Sequence, residues 1–220
     1  MLVEVFTISS RFAAQVSRDP LGGGTIHGDI RMPISYLKGH SWSDLTREER
    51  YYCYILYSYA RVDAAEFARW LNQKCGLSLD LRSEWDLGLE VCFYRDYLWH
   101  QERRVRETRF SPKRTFDLCL FGENDIVIIE TKVDQPFDRE QNAAFAADRT
   151  AIPQLLESEK VRVSLIALAS SKYLSSATHL DQFSGTLSWA DVHQKYGDRL
   201  LKQADDLYGV WIPKLRDPAA

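Results

Sequence analysis

The chain has 220 residues, 45% hydrophobic and 27% charged, with a formal net charge of -3. That balance is that of an ordinary globular protein, so disorder is not the default reading; it suits one domain with an extension, while so small a net charge neither points to nor forbids a nucleic-acid partner. No apolar run reaches the roughly 20 residues of a membrane helix, so no membrane partner is expected.

In chain order, the opening MLVEVFTISS reads as a strand or short amphipathic segment. Residues 19–33, DPLGGGTIHGDIRMP, have loop composition. Gly22-Gly23-Gly24 lacks the Gly-Lys-Ser/Thr that completes a phosphate loop and reads as flexible backbone; His27 and Asp29 nearby have metal-ligating side chains, but a solvated loop is the better reading. In TREERYYCYILYSYARV, Thr46 and Glu49 match a capping box and open a helix. A second helix starts at Asp63, with Glu66 three residues on, and runs to a stop at Gly76. The pair has a helix-turn-helix outline, but its spacing fits ordinary helical packing. Residues 1–82 are therefore expected to form a mainly helical extension of unassigned role.

Residues 83–220 are expected to form the core. EWDLGLEVCFYRDYLWHQ, residues 84–101, reads as a helix apolar on almost every side. RRVRETRF reads as a strand with a basic face, TFDLCLF as a strand, GEND as a turn and IVIIETKVD as the next strand of a hairpin. FDREQNAAFAADRTAIPQLLE is helical with an interruption near Pro153. VRVSLIALA is a buried strand, and from Ser188 two helices close the chain, the second starting near Asp198. The order helix, three strands, helix, strand makes the last strand parallel to its neighbour, giving an α/β fold with a mixed sheet flanked by helices. Cys53, Cys75, Cys92 and Cys119 are widely spaced in apolar stretches without a C-x-x-C pair. That argues against a disulfide framework or a cysteine zinc site, and with no signal-peptide pattern it sets the expectation of a reducing, cytoplasmic setting.

Chemistry concentrates on the hairpin. Asp117 shares a strand face with Cys119 and Phe121, and Glu130 shares one with Lys132, because side chains two apart leave the same side of a strand. If the hairpin splays, Asp117 and Glu130 converge at one end of the sheet, where two carboxylates repel unless a cation lies between them. Mg²⁺ suits hard oxygen ligands, and the Thr131 carbonyl offers a further one. Lys132 would then orient water and stabilise charge developing on a phosphate. The bland reading is a Glu130–Lys132 salt bridge at a fraying strand end. Glu90, on the expected apolar helix near Phe93, Tyr94 and Tyr97, is a carboxylate that is costly to bury alone or else faces water at the rim. Gln141 interrupts an apolar stripe between Phe137 and Phe145, where it orders a ligand or caps local backbone.

RTFDLCLFGENDIVIIETKVDQPFDREQ resembles the D…E-x-K hairpin and following helix of the PD-(D/E)xK nuclease superfamily, over roughly residues 84–169. Phe116 stands where that family often has proline. The resemblance implies a restriction endonuclease-like core and a Mg²⁺-dependent phosphodiester hydrolase, with Mn²⁺ as a substitute ion. It places metal-binding acids at Asp117 and Glu130, the catalytic lysine at Lys132, the first-helix glutamate at Glu90 and a later-helix glutamine at Gln141. It further implies an endonuclease rather than an exonuclease, a role in defence or repair with DNA as the first candidate substrate, and action as a homodimer or larger complex where both strands are cut.

The charge distribution agrees with a nucleic-acid substrate. Residues 95–114 carry seven basic against three acidic residues, a local excess of +4 in a chain of -3. Arg103, Arg104, Arg106, Arg109, Lys113 and Arg114 are the candidate backbone-phosphate contacts, with a solvated strand edge as the bland alternative. No nucleophile elbow or paired-histidine metal spacing competes with this site. The alternative function is a catalytically silent nuclease-fold module that binds or scaffolds a partner.

Overall fold

The computed structural model describes residues 35–103 and 114–210, and of residues 35 and 139–142 the backbone only. The expectations for the N-terminal segment, the glycine-rich loop with His27 and Asp29, and nearly all of the basic strand RRVRETRF lie outside the described residues. The chain divides after His40. In the first unit a 3-10 turn spans Ser35–Leu37.

In the second unit a one-turn helix α1 (Trp42–Leu45) precedes α2 (Glu49–Ala60) and α3 (Ala64–Cys75). Helix α3 has the expected ends: the Asp63 carboxylate accepts the Glu66 N–H at 2.8 Å, and Gly76 at φ +64° closes it. Helix α2 starts differently from the expected capping box. Glu48 occupies the N-cap position. Thr46 instead accepts the Glu48 N–H on its hydroxyl at 3.2 Å, and its carbonyl accepts the Tyr52 hydroxyl at 2.9 Å. The buried Tyr52 ring ties Thr46 down one turn early, which leaves the Glu49 side chain free of cap duty.

The segment expected as one helix over residues 84–101 is a strand, β1 (Asp86–Val91), followed by a π-helical turn (Phe93–Tyr97) and a short helix α4 (Leu98–His100). Leu87, Leu89 and Val91 alternate with Asp86, Gly88 and Glu90, and that period of two wins over the bulk apolarity. Gly88 is required by packing, since a Cβ there would stand 2.5 Å from Val91 Cγ2.

Strands β2 (Phe116–Phe121) and β3 (Asp125–Thr131) form the expected hairpin, closed by the Gly122 N–H donating to the Asp125 carbonyl at 2.8 Å. Helix α5 (Arg139–Leu155) crosses over and contains Pro153 near its end, so the proline shortens the helix rather than splitting it. Strand β4 (Arg162–Ala169) returns parallel to β3 as expected. A short helix α6 (Ser171–Leu174) leads to an unexpected fifth strand, β5 (Gly185–Ser188). The closing helices α7 (Trp189–Tyr196) and α8 (Arg199–Asp206) start as expected, with Asp198 capping α8.

The sheet order is β1-β2-β3-β4-β5, antiparallel across the first three strands and parallel across the last three. Both faces are covered. Tyr52, Leu56, Phe67, Leu71, Trp189 and Leu201 pack on the face of Leu118, Leu120, Val127 and Ile129. Phe93, Leu98, Phe145 and Ile152 pack on the face of Cys119, Ile126, Ile128 and Leu165. A central strand buried on both sides needs apolar residues at every position, which is why β3 reads as a continuous apolar run. Helices α2 and α3 thus build one layer of the core, and the expected division after residue 82 falls inside the unit Ser41–Ala220.

Candidate functional site

The hairpin brings Asp117 and Glu130 to one place. The pairs Cys119–Ile128 and Leu118–Ile129 make Asp117 and Glu130 the next opposed position, on the face of Cys119 and Ile128. Directly opposed side chains have Cβ atoms about 4.5–5.5 Å apart. The regular ladder ends there, and the Asp117 carboxylate takes up the strand end: its Oδ2 accepts the Thr131 N–H at 2.8 Å and the Thr131 hydroxyl at 2.9 Å.

Glu130 is 9% exposed, and its Oε2 is buried without a hydrogen-bond partner among the described residues. Burial, with the neighbouring Asp117 charge adding to it, holds the Glu130 carboxyl well above the ordinary glutamate range. Burial also raises Asp117, against the opposing pull of the Thr131 hydrogen bonds and the Lys132 and Arg50 cations.

Lys132 follows directly after β3. Its N–H donates to the Leu168 carbonyl at 2.8 Å and its carbonyl accepts the Trp189 indole N–H at 2.9 Å, so its backbone is pinned between β4 and α7. Its Nζ donates to the Thr131 carbonyl at 2.9 Å and to Glu49 Oε1 at 3.1 Å, and lies 5.7 Å from the centre of the Phe137 ring. Burial opposes the ammonium charge, but Glu49, Glu130 and Asp117 outweigh it and raise the Lys132 affinity for its proton. Lys132 is a cation here and not a base.

Glu49 is the site residue that sequence reasoning missed, having been assigned to a helix cap. It stands in the first turn of α2, and burial raises its carboxyl despite the Lys132 charge beside it. Nothing local marks it, because its role exists only once α2 docks on the sheet. For Glu90 the element is corrected, while the strand register leaves it opposite Asp117. It belongs to β1 and not to a helix, its backbone has φ +54°, and Arg50 Nε meets its Oε1 at 3.3 Å. Left-handed backbone at a non-glycine residue costs roughly 1–3 kcal/mol and persists where the surroundings enforce it. Here the flanking pairs Leu89–Leu118 and Val91–Phe116 do so. Arg47, just before α2, pairs with Asp134 at 3.0 Å.

Gln141 lies in the first turns of α5. Among the expected phosphate contacts, Arg104, Arg106, Arg109 and Lys113 lie outside the described residues. Arg103 pairs with Glu157 at 2.6 Å. Arg114 corrects the expectation: it pairs with Asp148 at 2.5 Å, lies 4.4 Å from the centre of the Phe145 ring, and shares Asp148 with the Tyr94 hydroxyl at 2.7 Å. Its charge is matched where little water reaches, so it ties β2 to α5 instead of facing a phosphate.

Among the described residues, no three His, Cys, Asp or Glu side chains stand together as a ready metal cage. The donor set nonetheless fits a small hard cation. A buried carboxylate oxygen lacks a partner beside a second carboxylate, and both groups hold protons more tightly than usual, which a cation would relieve. No helix of the described residues is long and apolar enough to cross a membrane. Comparison with protein-family models, curated proteins and solved structures gives no match to this chain.

Proposed function

We propose that this chain is a metal-dependent phosphodiester hydrolase of the restriction endonuclease-like fold, acting on nucleic acid with DNA as the first candidate. The observation that carries the reading is the buried, unpartnered Glu130 Oε2 beside Asp117, with the Lys132 ammonium near enough for its charge to act on both. The element order supports it. The order matches the helix, three strands, helix, strand sequence that the resemblance implies only with its first two elements reassigned: α2 and α3 stand for the helix expected at residues 84–101, β1 from that same segment stands for the first strand, and β2, β3, α5 and β4 follow as expected.

Asp117, Glu130 and the Thr131 carbonyl are the groups that would hold Mg²⁺ or Mn²⁺. When bound, such an ion neutralises the carboxylate pair, polarises a phosphoryl oxygen and acidifies adjacent water. The chain's own contribution is positional and electrostatic. Glu49 and the Thr131 carbonyl aim the Lys132 ammonium, and the pinned backbone of Lys132 fixes where that charge sits. A preset cation in a site with little water stabilises negative charge growing on a phosphate without reorganising during the reaction. Glu49, rather than Glu90, fills the helix-borne acid position.

A catalytically silent binding module is the second reading, favoured by one observation: Lys132 is already paired with Glu49. Purified protein incubated with plasmid, single-stranded DNA and RNA, in Mg²⁺, Mn²⁺ or chelator, separates the two. Metal-dependent cleavage that disappears in Asp117→Ala and Lys132→Ala, with both variants folded, is expected. Cleavage surviving both substitutions overturns the site, and metal-independent binding without cleavage of any substrate supports the silent module.

A further inference from the structure

Asp117 is held by a hydrogen-bond chain that begins in the core. Thr131 gives Asp117 Oδ2 both of its donors, and because a main-chain N–H can only donate, Oδ2 is the acceptor. A hydroxyl has one proton to give. With that proton directed at Asp117, the Thr131 Oγ1 presents lone pairs to Cys53 Sγ, 2.9 Å away. The thiol is then the donor. Cys53 lies on α2 and Thr131 ends β3, and both are 0% exposed. No hydrogen bond from the described residues reaches Asp117 Oδ1, so the chain restrains one carboxylate oxygen and leaves the other for a ligand. The chemistry proposed above makes no use of a thiol, and a purely apolar side chain would fill the space without serving Oγ1.

We propose that Cys53 and Thr131 are positioning residues, a thiol–hydroxyl–carboxylate relay that fixes the orientation of Asp117 and ties it to the helix carrying Glu49. The functional consequence rests on the reading of Asp117 as an ion ligand, whereas the relay itself does not. Partners that orient a metal ligand from behind change metal affinity by about 10–100-fold when removed. Thr131→Val keeps the shape and deletes the hydroxyl, so it is expected to weaken Mn²⁺ binding by about 10–100-fold. Thr131→Ser restores it. Cys53→Ala weakens binding toward the lower end of that range, and Cys53→Ser restores it.

The test uses the full-length chain and two readouts. The first is the infrared S–H stretch of Cys53, isolated as wild type minus Cys53→Ala. A band displaced below that of a free thiol, and returned toward it in Thr131→Val, is expected. The second is Mn²⁺ affinity from the paramagnetic resonance of the free ion. An S–H band at the free-thiol position in wild type overturns the relay and needs no variant in the active strand. Unchanged Mn²⁺ affinity in a folded Thr131→Val overturns the positioning role. Failure of wild type to bind Mn²⁺ overturns that role and the metal reading together, while a displaced S–H band in the same protein still upholds the hydrogen-bond chain.

Discussion

Replacing Glu130 by glutamine removes a charge while keeping the shape, and its effect on stability should depend on the ion. In metal-free protein the Glu130 carboxyl is buried with Oε2 unpartnered and Asp117 beside it, so ionising it there is costly. A buried polar atom without a partner costs about 1–3 kcal/mol, more when charged. A glutamine amide is neutral and can donate to the Asp117 carboxylate. At pH values where the wild-type carboxyl has ionised, Glu130→Gln is therefore expected to stabilise the metal-free chain by about 1–3 kcal/mol, a rise in Tm of roughly 2–12 °C at this size.

The pH dependence has a definite sign. Glu130 keeps its proton to higher pH in the folded chain than the ordinary value of 4.5, so in that window the folded state binds more protons than the unfolded. Stability contributed by this group is full below 4.5 and is lost as pH rises through the raised folded value. Glutamine abolishes that decline. Mg²⁺ reverses the ranking: an ion present at 100 times its dissociation constant stabilises wild type by about 2.7 kcal/mol, and the variant loses most of that gain. Thermal melts in chelator and in Mg²⁺, from pH 5 to 8, measure both effects. A Glu130→Gln chain that melts below wild type in chelator, or that gains as much from Mg²⁺, would refute the reasoning.

Arg114→Ala should lose about 2–4 kcal/mol in urea unfolding, because Asp148 would keep a mostly buried charge without its partner. The salt dependence of nucleic-acid binding should stay the same in that variant, since no phosphate contact is removed. Asp205→Ala should cost about 2–4 kcal/mol. Its buried carboxylate accepts the Ser171 N–H and hydroxyl, each at 2.7 Å, and the Ala190 N–H at 3.1 Å; none of these partners is a proposed ion ligand, so the Mg²⁺-induced rise in Tm should persist. Trp189→Phe removes the indole hydrogen bond to the Lys132 carbonyl. It should lower cleavage turnover more than substrate affinity, and an equal loss in both would argue that Trp189 acts only through the fold. Gly185→Ala should destabilise strongly, with a lowered midpoint in urea, since the new Cβ would lie 2.7 Å from Cys75 Cβ and 3.0 Å from its carbonyl.

The strands β2, β3 and β4, the caps of α3 and the start of α8 were legible as text because each depends on neighbours in sequence: alternation, turn residues, a side chain reaching the next turn. Asp117, Glu130 and Lys132 were legible for the same reason, since a hairpin with a short turn dictates which residues oppose one another. The segment Asp86–Val91 was misread as helix because its apolarity hid a period of two that Gly88 also signalled. Glu49 beside Lys132 and Cys53 against Thr131 are contacts across 83 and 78 residues of chain. No local pattern encodes them. They exist because α2 buries Tyr52, Cys53 and Leu56 against the sheet, and the same burial that drives that docking carries a glutamate to the lysine and a thiol to the threonine.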